Sequence, residues 1–147
     1  MSRLKILFLY PNGKGMTMLP PGISLLSAVL KREGFVVDLF DTTQYDSVEE
    51  FKKKETLDHK KTGEDKMQFR PSPEHKKVIV KYTNVYEDFR KKVIDFGPDL
   101  IAMSCTENMF LLGIVLLRKI KDLKILTLAG GIFPTFAPRQ VLSFDEI

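Results

Sequence analysis

Few residues in this chain have the type and spacing to do chemistry. Cys105 is the single cysteine, so the chain alone can build neither a disulfide nor a cysteine-clustered zinc or iron–sulfur site. No histidine accompanies it nearby in sequence, and it reads as a small buried thiol rather than a nucleophile. The two histidines, His59 and His75, both fall in a charged stretch that reads as solvated surface. No catalytic residue and no metal ligand set emerges.

What remains is a set of loop residues suited to holding a ligand. Gly13-Lys14-Gly15 invites a phosphate reading, because glycines let backbone N–H groups approach an anion. The details fail: no glycine stands five residues before Gly13, Gly15 stands where a Walker loop needs Ser or Thr, and Met18 stands where a dinucleotide fingerprint needs its third glycine. Ser104-Cys105-Thr106 offers two hydroxyls around a thiol, either to cap a following helix or to hydrogen-bond a ligand. Gly130-Gly131 reads either as a tight turn or as a floor without side chains, with Ile132 and Phe133 beside it as apolar walls or as core. Asn12 precedes Gly13 either as a turn residue or as a polar group facing the same site.

These loops are brought together by the elements around them. Leu4 to Tyr10 is an apolar run closed by Pro11-Asn12-Gly13, the pattern of a strand buried on both faces. Pro20-Pro21-Gly22 opens a helix with Ile23, Leu26, Val29 and Leu30 at helical spacing, ended by Gly34, and Val36 to Phe40 completes a βαβ unit. Asn84-x-x-Glu87 caps a helix carrying Val85, Phe89, Val93 and Phe96, stopped by Gly97-Pro98. Leu100 to Met103 is a third strand, Asn108 to Lys121 an apolar helix, and Ile125 to Ala129 a fourth strand; a last helix begins near Pro138.

Residues 42–83 break this rhythm with Lys, Glu, Asp and Pro and read as an insertion. Within it, Ser47-x-x-Glu50 has capping spacing, and Met67, Phe69 and Val78 to Tyr82 alternate as in a peripheral hairpin. The sum is an α/β domain, a Rossmann-like (flavodoxin-like) three-layer sandwich with a mostly parallel sheet covered on both faces and truncated before a fifth strand. In such sheets the ligand lies beyond the carboxyl ends of the strands, which puts residues 11–21, 104–108 and 130–134 around one site. A magnesium-dependent receiver domain is excluded, since the first and third strands end in Tyr10-Pro11 and Ser104 instead of acids.

The bulk numbers agree with one folded domain: 147 residues, 44% hydrophobic and 29% charged. The net charge of +4 comes largely from lysines interleaved with acids, which argues against a nucleic-acid footprint. The longest apolar run, Met109 to Leu117, is too short to cross a bilayer, and the apolar start is too short for a signal peptide, so a cytoplasmic protein is expected.

Taken in order, Leu9-Tyr10-Pro11, Pro20-Pro21-Gly22-Ile23 with Leu26, Pro98 to Ser104, and Ala129 to Thr135 resemble the N-terminal cobalamin-binding domain of cobalamin-dependent radical SAM proteins. The resemblance covers residues 3–41 and 84–147. It implies that Ser104, Thr106, Gly130 and Gly131 enclose the nucleotide tail of the cofactor, with Asn12, Gly13, Cys105, Ile132 and Phe133 beside it. The chain lacks the Asp-x-His-x-x-Gly of the mutase branch, so the resemblance implies base-off cobalamin without a histidine below cobalt. It also implies a radical SAM domain downstream in the same polypeptide, holding a 4Fe-4S cluster and S-adenosylmethionine and acting on a small molecule as a methyltransferase or oxidative cyclase. The readings kept against it are a flavodoxin-like binder of flavin or another nucleotide, and a non-catalytic interaction domain.

Overall fold

A computed structural model describes residues 3–13, 20–48 and 80–147. The chain runs β1 (Lys5–Tyr10), α1 (Pro21–Arg32), β2 (Val36–Asp41), a 3-10 turn (Asp46–Val48), α2 (Val85–Phe96), β3 (Leu100–Ser104), α3 (Glu107–Arg118), a second 3-10 turn (Lys121–Leu123), β4 (Leu126–Gly130), α4 (Ile132–Phe136) and α5 (Pro138–Val141). Four strands form one parallel sheet in the order β2-β1-β3-β4. This is the α/β, Rossmann-like (flavodoxin-like) arrangement that the alternating pattern predicts.

Local chemistry explains the helix ends. The Asn84 side chain accepts hydrogen bonds from the N–H groups of Tyr86 (2.9 Å) and Glu87 (3.3 Å), so α2 starts where the capping pattern puts it. Gly97 takes a left-handed conformation and its N–H bonds the Val93 carbonyl, which stops the helix. Pro21 is the first residue of α1, where its missing N–H costs nothing.

Alternation along the strands divides the core in two. Leu7, Leu9, Phe40, Ile101 and Met103 point to one face and pack with Phe89 and Val93 of α2 and Leu112 and Leu116 of α3. Ile6, Phe8 and Ala102 point to the other and meet Ile23 of α1. The expectation of a sheet covered on both faces is therefore only half met. Among the described elements α1 alone lies on the second face, and Leu126 and Leu128 of β4 remain 70% and 52% exposed there.

Two details differ from the sequence reading. The segment read as insertion from residue 42 is in part core: Thr42, Tyr45 and Val48 are buried, and the Tyr45 ring lies 5.8 Å from that of Phe40. Lys81 forms a parallel bridge with Tyr45; the other arm of the expected hairpin, Glu50 and both histidines lie outside the described residues. The loop read at residues 130–134 runs into the short helix α4, which already begins at Ile132. Among the described residues no helix is long and apolar enough to cross a membrane.

Candidate functional site

The strand register brings the carboxyl ends level. Tyr10 lies beside Asp41, Leu9 beside Met103, and Ser104 beside Gly130. Asp41, Tyr10, Ser104 and Gly130 thus make one row across the top of the sheet, on the face that α1 partly covers. Burial and the nearby Asp41 charge hold the Tyr10 phenol above its ordinary pKa.

At the β1 end, Pro11, Asn12 and Gly13 are all buried. The Asn12 N–H donates to the Thr42 hydroxyl oxygen at 2.8 Å, and that hydroxyl donates to the Asn12 carbonyl at 2.7 Å. The Asn12 side-chain amide donates to the Thr43 hydroxyl oxygen at 3.0 Å. Asn12 therefore joins the turns after β1 and β2 into one latch. The sequence does not show this, because its partners come from a turn thirty residues away.

At the β3 end the two hydroxyls behave differently from helix caps. Thr106 occupies the N-cap position of α3, yet its side chain caps no helix N–H, and it is exposed. Ser104 is half-buried, and its hydroxyl has no hydrogen-bond partner among the described residues. The capping alternative is thus not the one realised at Thr106, and among the described residues neither hydroxyl is engaged by another side chain. Cys105 between them is buried, and burial pushes its thiol up to about 12. That protonated, enclosed sulfur is a packing group, as its isolation in sequence suggests.

The two glycines at the β4 end serve different ends. Gly131 has φ 97° and ψ −167°, a conformation open essentially to glycine alone. A Cβ there would sit 2.9 Å from the Cys105 carbonyl oxygen and 3.2 Å from Ser104 Oγ, so Gly131 lets the fourth loop close on the third. The Cys105 N–H donates to the Gly130 carbonyl at 3.2 Å and completes this junction. Gly130 is under no such constraint, because the nearest atom to a Cβ placed there is 3.9 Å away. Its bare position faces outward at the end of the row. Phe133 turns into the core, its ring 5.0 Å from that of Phe110, while Ile132 is exposed beside the glycines.

Of the residues picked from the sequence, the fold brings Ser104, Thr106, Gly130, Gly131 and Ile132 to one rim. It places Asn12 and Gly13 in the neighbouring latch, and Cys105 and Phe133 beneath as packing. Tyr10 and Asp41 were missed as site residues: Tyr10 reads in sequence only as the end of the first strand, and only register sets Asp41 beside it.

Two clefts lie elsewhere. One of about 460 Å³ runs along the β2 edge between Asp41, Tyr45, Lys81, Asp88 and Lys92. Within it the Asp88 carboxylate accepts from the Thr83 hydroxyl (2.6 Å) and the Tyr45 hydroxyl (2.9 Å), and these bonds hold its pKa below the carboxylate range. The other, about 420 Å³, opens at the start of β4 beside Lys121, Lys124 and Glu146. Among the described residues no group of three or more His, Cys, Asp or Glu is placed to hold a metal ion. No family model, no curated protein and no solved structure matches this chain.

Proposed function

We propose that the rim formed by Ser104, Thr106, Gly130 and Gly131 binds the nucleotide tail of cobalamin, and that the chain serves as the corrinoid-binding domain of a radical SAM enzyme. The observation that supports this reading is the pair of hydroxyls on Ser104 and Thr106, for which no side-chain hydrogen bond is seen among the described residues, beside a glycine whose missing side chain no described contact requires. A few placed polar groups beside a surface free of side chains are what an organic cofactor needs. Among the described residues of the first turn, the Asn12 amide is already engaged with Thr43, so these residues fit a role beside the tail better than one as a ligand to cobalt.

Bound cobalamin would supply methyl-transfer or related corrin chemistry to a radical partner. The chain's own residues would bind and orient: Ser104 and Thr106 by donating to the tail, Gly130 by leaving space, and Tyr10 by bounding the other end of the row. With one cysteine the chain holds no 4Fe-4S cluster of its own. The cluster, S-adenosylmethionine and the small-molecule substrate would belong to a radical SAM domain of the same polypeptide.

Mixing the protein with hydroxocobalamin, removing free ligand by gel filtration and recording the visible spectrum tests the reading. Corrin absorbance should co-elute with the protein and be lost in Gly130→Leu, whose far-UV circular dichroism should be unchanged because the site tolerates a Cβ. Absence of retained corrin, or equal retention by Gly130→Leu, would remove the proposal. Retention of FMN in its place would transfer the rim to a flavin.

A further inference from the structure

Among the described residues only α1 lies on the second face of the sheet, which leaves a groove beside that helix. Its floor is Leu100 of β3 with Leu126 and Leu128 of β4, and its wall is α1. Ile23, Ser27 and Leu30 are the α1 residues turned inward, as their lower exposure and their i, i+4, i+7 spacing show. Leu26 and Val29 lie on one flank of that line, while Ser24 and Lys31 lie on the opposite flank. A right-handed β1-α1-β2 crossover turns the Leu26 and Val29 flank toward β3 and β4, so the wall is apolar as well as the floor. Leu25, on the back of α1, is 67% exposed.

We infer that the groove is filled by α1 of a second copy of this chain, in a two-fold dimer where each α1 covers the bare β3–β4 face of the other. The two features are complementary. The groove lacks one apolar helix, and the same face presents one helix with an unburied apolar back and flank. A two-fold axis running between the helices satisfies both needs with one contact used twice. The five exposed side chains of α1 and β4 together offer on the order of 500 Å² of apolar surface per copy, and their polar surround brings the patch toward the roughly 800 Å² per partner that a stable complex buries. Pairing through the β4 edge alone would leave Leu25, Leu26 and Val29 in water. The inference is independent of the cofactor reading, since the groove lies below the strand ends.

Sedimentation equilibrium over a range of protein concentrations should give twice the 16.9 kDa chain mass. Leu26→Glu and Leu128→Glu should each restore the monomer with unchanged far-UV circular dichroism; both sites are exposed in the single chain, so neither change disturbs its core. Mixing Leu25→Cys protein with Leu128→Cys protein under mild oxidation should give a mixed disulfide dimer, with Cys105 buried out of reach. A monomer at every concentration would overturn the inference and leave the groove to a helix from elsewhere. Self-crosslinking of Leu128→Cys alone would overturn it in favour of edge-to-edge pairing of β4.

Discussion

The adjacent glycines at the end of β4 should respond to the same substitution with opposite signs. Gly131→Ala must hold an L-residue at φ 97°, ψ −167°, which costs on the order of 1–3 kcal/mol. The new methyl would also lie 2.9 Å from a backbone oxygen, which cannot rotate away as a side chain could; relieving such crowding costs about 1 kcal/mol or more. Loss of glycine freedom in the unfolded chain returns about 0.4–1 kcal/mol. The net is a destabilisation of about 1–4 kcal/mol, or roughly 3–14 °C in Tm for a chain of this size. Gly130→Ala meets no atom closer than 3.9 Å and has no positive φ, so only the last effect remains. It should be neutral or stabilising by up to about 1 kcal/mol. Urea unfolding followed by circular dichroism separates the two. Equal effects at both positions, or a Gly131→Ala loss under about 0.5 kcal/mol, would show that the third and fourth loops do not meet as described.

Two further outcomes follow from buried groups. Thr42→Val removes both the acceptor for the Asn12 N–H and the donor to its carbonyl, and should cost about 1–3 kcal/mol in the same assay by leaving those groups unpaired. The Cys105 thiol, raised from 9.0 to about 12, keeps its proton in the folded state longer than in the unfolded one. Its contribution to stability is therefore complete below pH 9 and lost as the pH rises from there toward 12, with unfolding free energy falling more steeply over that window than in Cys105→Ala.

The elements were legible where each local signal agreed with its neighbours. Ile6 to Leu9 could only be a doubly buried strand, and Asn84 with Gly97 bracketed α2 by chemistry that acts within four residues. The short helix α4 was hidden because Gly131 and Pro134 read as loop, and nothing local says that Phe133 turns inward onto Phe110. Leu126-Thr127-Leu128 reads as strand from its β pattern, but whether a helix lies over those leucines depends on crossovers elsewhere in the chain. At the candidate site, the Ser104, Thr106 and Gly130 grouping was visible in sequence because all three stand where strands end. The latch of Asn12 to Thr42 was not, because hydrogen bonds between neighbouring parallel strands join residues far apart in the chain and leave no spacing to read.

The level register of the strand tops also gives the sheet a graded skyline. From β2 to β4 the side chains step from carboxylate and phenol to a single hydroxyl and then to hydrogen. A planar guest resting there would be tall-walled on the Tyr10 side and unobstructed on the Gly130 side, so its approach and departure have a built-in direction, in from β4 and stopping against β1.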